Sequence, residues 1–231
     1  MTLLWFSRAR LTSGASVSAL IPLLTSRDTA LSGHALVWSL FADGPERKRD
    51  FLWRESADRT FYMLSARPPA DRHALFDLDE PKPFAPQLSS GDRLRFSLRA
   101  NPVVRRETET LRVSGKHKRT KKIDVVMKAL HGMPKSERAE QRKAIVREAG
   151  TAWLAQQGTR CGFEIDKDAI GVDGYETRVV YRRSGKPIQF STLDFEGNLT
   201  VTDPDLFLAS LAEGFGSAKA FGCGLMLIRR D

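Results

Sequence analysis

An α+β fold of two tandem ferredoxin-like domains, the second less regular than the first, is predicted by three features of the sequence. Residues 1–100 read strand, helix, strand, strand, weak helix, strand, the βαββαβ order of such a domain. The second half carries a long amphipathic helix, a run of strands, a further helix and a last strand, an α+β pattern of the same general kind. The length of 231 residues accommodates two units of about 115, each able to bury its own core. The expected division is 1–102 for the first domain, 103–135 for a basic linker or hairpin, and 136–231 for the second domain.

Met1 to Arg10 is the first expected strand. Asp28 then caps a helix in which Leu31, Ala35 and Trp38 recur at helical spacing, ending near Gly44-Pro45. Asp50 to Glu55 and Thr60 to Ala66 are short apolar and aromatic runs separated by Ser56 to Arg59, as in a hairpin. Pro68 to Leu78 is a short helix or loop. From Arg93 to Ala100 the alternation is strict, with Leu94, Phe96, Leu98 and Ala100 on one face and Arg93, Arg95, Ser97 and Arg99 on the other. An amphipathic helix is expected over Ser136–Gln157, with Gly158 as its stop. Strands follow near 162–170, 175–183, 187–196 and 198–202, then a helix opened by Asp203-Pro204 and a strand over Cys223–Arg229.

Lys and Arg number 37 against 28 Asp and Glu, a net charge of +9 that points to a polyanionic partner. Arginine is the commoner of the two, and its planar fork pairs with phosphate and stacks on bases, which favours nucleic acid over a membrane surface. The excess is localised. Residues 93–122 hold eleven basic side chains against Glu107 and Glu109, an excess as large as that of the whole chain. Candidate RNA contacts there are Arg93, Arg95, Arg99, Arg105, Arg106, Lys116, Lys118 and Arg119, with a solvated linker as the other reading of such a run. A second basic group, Arg178, Arg182, Arg183 and Lys186, flanks the Ser184-Gly185 turn and predicts a charged hairpin tip. No apolar run approaches the roughly 18 residues that a spanning helix needs. The arginines of Met1 to Arg10 follow its apolar stretch, the reverse of a secretory signal, so a cytoplasmic protein is expected.

The segment Gly214 to Gly224 holds the densest glycine of the chain. It fits neither G-x-x-x-x-G-K-[ST] nor G-x-G-x-x-G, and it follows a helix and enters a strand, so no nucleotide cofactor is expected. Gly214, Gly216, Ser217, Lys219 and Gly222 are candidates for contact with an RNA backbone, tight helix-on-strand packing being the alternative. Of the four histidines, His34, His73, His117 and His131, none has a partner at metal-ligand spacing, so no metal is expected. His34 lies near the apolar stripe of the first helix, and spacing alone reads it as a satisfied, half-buried histidine. Cys161 and Cys223 lack any C-x-x-C partner and read as small, at least partly buried residues.

His34-Ala-Leu-Val-Trp38-Ser-Leu-Phe41, Arg49-Asp-Phe-Leu-Trp53, Arg93-Leu-Arg-Phe-Ser-Leu-Arg-Ala-Asn-Pro102, Phe195-Glu-Gly-Asn-Leu-Thr-Val201 and the Gly214–Gly224 loop occur in this order. In these motifs the chain resembles, over essentially its whole length, the CasE family of CRISPR repeat-processing endoribonucleases of type I-E systems. The resemblance implies two ferredoxin-like domains, recognition of a repeat stem-loop, metal-independent cleavage at the base of the stem, and retention of the mature crRNA with other subunits of the Cascade complex. Such cleavage runs through attack of the RNA's own 2′-hydroxyl and leaves a 2′,3′-cyclic phosphate and a 5′-hydroxyl. His34 matches the family's catalytic histidine. The tyrosine common three residues earlier in the family is here Leu31, so Lys219, Tyr62 or Tyr175 is the candidate auxiliary group. A basic hairpin tip that enters the major groove of the stem falls on Arg182, Arg183 and Lys186. The alternative function is that of a non-catalytic crRNA-stem-binding subunit.

Overall fold

The computed structural model describes residues 3–12, 33–42, 48–108, 119–181 and 186–230. Strand β1, Trp5–Leu11, buries Ser7 and Ala9 and exposes Arg8 and Arg10, the alternation of a half-buried strand. Helix α1, Gly33–Ser39, stops earlier than its spacing predicts, because Leu40 and Phe41 turn into the core and are buried there. Strands β2, Phe51–Ser56, and β3, Thr60–Ser65, form the expected hairpin around a tight turn at Ala57–Arg59, in which Asp58 and Arg59 take left-handed φ values of +57° and +53°. Phe51, Trp53, Phe61 and Met63 point to α1 and form the first core with Leu36, Val37 and Phe41. The Pro68 to Leu78 stretch supplies no helix, since Pro68 and Pro69 cannot both serve a helix interior. It supplies instead β4, Phe76–Leu78, which pairs with β1, and β5, Lys82–Pro83, follows along the same strand.

The first sheet thus has the order β2-β3-β1-β4, ferredoxin-like but with an irregular segment in place of the second helix. Strand β6, Arg93–Ala100, was expected to close this domain, and it does not. The free edge of β1 is already taken by β4 and β5, and β6 pairs with two strands of the second sheet instead. The boundary therefore falls before Arg93 rather than at residue 102. The charged face of β6 likewise belongs to a central strand, not to an edge.

Between β6 and the long helix stand a hairpin of β7, Val103–Thr108, and β8, Arg119–Asp124, and helix α2, Val125–His131, whose first turn Asp124 caps by accepting from the Met127 amide at 2.8 Å. Helix α3, Arg138–Cys161, runs through Gly158 and ends at Gly162, whose φ of +76° is the left-handed conformation that favours glycine. Gly158 is instead a packing position, because a Cβ there would meet the Phe163 carbonyl oxygen at 2.5 Å. Strands β9, Phe163–Ile165, β10, Gly171–Val180, and β11, Ile188–Val201, precede helix α4, Pro204–Glu213, which Asp203 caps as expected, and strand β12, Met226–Arg230. All pairings are antiparallel and the order is β10-β11-β6-β12, the full ferredoxin-like arrangement, with β9 added beside β11.

Trp153 and Leu154 of α3, Phe207 of α4 and the inward face of β6 fill the second core. The faces of the two sheets that carry no helices meet along a small apolar seam of Leu52, Leu64 and Leu225. This seam places Arg54 of β2 against β6, and it sets the first helix beside the glycine-rich loop.

Candidate active site

Two residues of the first domain and one carbonyl of the second define the site. His34 sits in the first turn of α1, half-buried, with its ring between Trp38 at 5.8 Å and Phe221 at 5.7 Å between centroids. Its Nδ1 lies 2.7 Å from the carbonyl oxygen of Ala220, which also accepts a 3.1 Å hydrogen bond from the Trp53 indole N–H. A carbonyl only accepts, so Nδ1 carries the proton and Nε2 of the neutral ring keeps its lone pair. Among the described residues Nε2 has no hydrogen-bond partner. Burial lowers the pKa of His34 below its ordinary value; the Ala220 carbonyl opposes the shift, and the charge of Arg49 adds to it.

Ala220 belongs to a 3₁₀ turn, Lys219–Phe221, held within the glycine-rich loop. The Gly224 amide donates to the Arg99 carbonyl at 2.7 Å, and the Phe215 amide donates to the Gly224 carbonyl at 2.9 Å. The Trp53 ring wedges between the two sides of the site. A Cβ on Gly33 would overlap it and one on Gly222 would meet it at 3.1 Å, so small residues at both positions admit the indole.

His34 lines an open cleft of about 740 Å³ between the domains, with Arg54, Arg99, Arg178, Phe190 and Phe221 among its walls. Arg99 is held by both oxygens of Asp194, at 2.8 and 2.7 Å, and this pairing raises its pKa. Arg178 pairs with Glu176 at 2.8 Å on the surface. Among the described residues no three His, Cys, Asp or Glu side chains group as they would around a metal ion.

A family model described as "CRISPR associated protein" matches residues 4–230. The chain belongs to that family. Within it the relatives are of the CasE type. The chain is 28% identical over 200 residues to the "CRISPR system Cascade subunit CasE" of Escherichia coli K12, covering 84% of this chain and 88% of the relative. It is 34% identical over 157 residues to the "CRISPR-associated endoribonuclease Cse3" of Thermus thermophilus, a match of 64% of this chain that spans only 61% of the relative's length. Among solved structures, Cse3 bound to a 19 nt RNA superposes with a TM-score of 0.63 at 24% identity, over 98% of this chain and 99% of that one. The crystal structure of Cas6e from E. coli does so at 0.55 and 22%, over 98% and 100%.

In this CasE-type chain the residues singled out from the sequence do not all converge. Tyr62 stacks on Phe6 and lines a separate cleft of about 970 Å³, further along β6 and shared with Arg95. Tyr175 donates to Asp124 at 3.0 Å beside the Ser191 hydroxyl, with Arg142 over its ring, and burial raises its pKa. Neither tyrosine lines the His34 cleft. Lys219 is two positions from Phe221, but its amine donates to the Glu213 carbonyl at 2.7 Å at the end of α4, and burial lowers its pKa. Gly214 and Gly216 are packing positions, against Leu52 and against Asn101 and Trp153, while Gly222 lines the cleft. Ser217 bridges to Asn101 through its amide.

Arg93, Arg95, Arg105 and Lys186 are exposed. Arg106 and Arg119 lie on the hairpin strands β7 and β8. Leu31, Lys116, Lys118, Arg182 and Arg183 lie outside the described residues. Cys161 is half-buried and Cys223 buried, the latter with its thiol pushed up to about 12 by burial. The sequence reading missed Trp53 and Arg54 as parts of the site. The available signal was an arginine directly after the apolar run Phe51–Trp53, on the face opposite to that of Trp53.

Proposed function

We propose that this chain is a CRISPR repeat-processing endoribonuclease in which His34 is the general base. The observation that carries the reading is the Nδ1–Ala220 hydrogen bond, which leaves Nε2 as a neutral acceptor at the wall of a cleft that also holds arginines. The names of the relatives agree: one is called an endoribonuclease, one a Cascade subunit, and solved relatives hold RNA.

In the proposed step the 2′-hydroxyl oxygen attacks the adjacent phosphorus and its proton passes to Nε2. The bond from phosphorus to the 5′ oxygen breaks, and that oxygen takes up a proton from the imidazolium or from water. The products are a 2′,3′-cyclic phosphate and a 5′-hydroxyl. Nothing in this sequence requires a metal ion, because the nucleophile comes from the RNA itself. The scissile bond is placed at the base of the repeat stem, with Arg182, Arg183 and Lys186 at the stem's groove and the exposed arginines of β6 and β7 along its backbone. A deep A-form major groove admits such a tip most readily near a helix end. The product is retained with the other Cascade subunits, in the cytoplasm. No helix among the described residues is long and apolar enough to cross a membrane.

The test is single-turnover cleavage of the repeat hairpin in EDTA. Cleavage by wild type, lost with His34→Ala and with a 2′-deoxy substitution at the scissile nucleotide, is the expected result. Tight binding without cleavage by any form would instead make the chain a crRNA-stem-binding subunit.

A further inference from the structure

We infer that Arg54 is the anion-binding side chain of the His34 cleft and holds a non-bridging phosphodiester oxygen of the RNA beside the histidine, a reading that rests on His34 as the cleavage base. Among the described residues three arginines line the cleft, and two are already spoken for: Arg99 by a bidentate Asp194 and Arg178 by Glu176. The acid on the cleft wall next to Arg54, Glu55, is paired with Arg59 at 3.1 Å. Arg54 alone among the three has no ion pair among the described residues. Its one hydrogen bond among the described residues runs from Nη1 to the neutral Ser97 hydroxyl at 2.9 Å.

A guanidinium presents five N–H donors in a planar fork, so most of those on Arg54 remain for a ligand. The side chain is half-buried between the two sheets, and burial lowers its pKa although Asp194 and Glu196 lie near enough to oppose that shift. Holding a cation there without a bonded counter-ion is costly, and an incoming phosphate relieves that cost. A clasp between domains through Ser97 would need only a neutral amide, not a charge. When the 2′-oxygen attacks, negative charge grows on the non-bridging oxygens of phosphorus. A fixed fork at the wall shared with His34 meets that charge without reorganisation, and no bond of Arg54 is made or broken.

The experiment compares wild type, Arg54→Gln, Arg54→Lys, Ser97→Ala and His34→Ala as full chains. The probes are the repeat hairpin of the adjacent CRISPR array and the same hairpin with a 2′-deoxy scissile nucleotide. Arg54→Gln is expected to slow single-turnover cleavage at saturating RNA by roughly 10²–10³-fold, the loss seen when one oxyanion donor is removed. It is also expected to make the salt dependence of binding to the deoxy hairpin shallower by about 0.7–0.9 log unit per log unit of salt, one phosphate contact. Ser97→Ala should cleave at close to the wild-type rate. The inference is overturned if Ser97→Ala is as defective as Arg54→Gln, or if Arg54→Gln keeps both the wild-type rate and the wild-type salt slope. Should Arg54→Gln fail to fold, Arg54→Lys carries the test: an unchanged salt slope with slower cleavage supports the contact, and wild-type cleavage refutes it. If His34→Ala cleaves normally, the general-base reading is lost, while the salt slope on the deoxy hairpin still decides the Arg54 contact.

Discussion

The proton on His34 is placed by a carbonyl 186 residues further along the chain. Because burial lowers the pKa from its ordinary value of 6.5, the ring is neutral and basic throughout the neutral range. The pH profile of kcat/KM should therefore climb to a plateau with its midpoint below pH 6.5, and a midpoint above that value would contradict the geometry. The same shift makes the site a liability in acid. Above pH 6.5 folded and unfolded chains are both neutral at this position and nothing is lost. As pH falls through 6.5 the unfolded chain binds a proton first, so stability declines until the folded ring is also charged. Denaturant unfolding at pH 7 and pH 5 should show that decline, reduced in His34→Gln. Trp53→Phe removes one donor from Ala220 and part of the wedge between Gly33 and Gly222. Its expected cost is about 1–3 kcal/mol in chemical denaturation, with RNA binding unchanged and cleavage slowed. His34 was legible only through the family motifs, since its spacing looks like that of a core histidine. Trp53 was invisible as a partner because its hydrogen bond spans 167 residues.

Strand β6 shows where pattern reading ends. Its alternation announced a strand with an apolar face, and Leu94, Phe96, Leu98 and Ala100 are indeed buried. Alternation specifies faces but not neighbours, and the neighbours were decided by a short apolar segment, Phe76–Leu78, that claimed the edge of β1. Helix α3 gives the converse case. Gly158 looks like a stop, yet the turn continues to Gly162, where the left-handed φ is found. Gly158→Ala should destabilise the protein by about 1–3 kcal/mol, because the added methyl meets backbone rather than a movable side chain and so outweighs the usual helix gain of roughly 0.5–1 kcal/mol. Thermal melting of that single variant checks it, with an unchanged midpoint counting against a tight α3–β9 contact.

Across the molecule the basic excess was legible from composition, but its arrangement was not. The β7–β8 ladder sets Arg105 opposite Lys122 and Arg106 opposite Lys121. Like charges facing each other across strands are destabilising, and an approaching polyanion offsets that repulsion. Non-cognate RNA should accordingly raise the melting temperature at low salt, and the rise should vanish near 1 M salt, where the Debye length is about 3 Å. A rise that survives such salt would mean that the contact is not electrostatic. The two domains are joined by an apolar seam of only a few residues, and the cleft that holds His34 opens beside it. The geometry around His34 is therefore a property of the docked pair rather than of either domain.

The hydrogen bond from His34 to Ala220 also sets when the histidine can be held in place. That contact cannot form until the chain has been made through residue 220, so the imidazole of a lone first domain lacks the partner that fixes its tautomer.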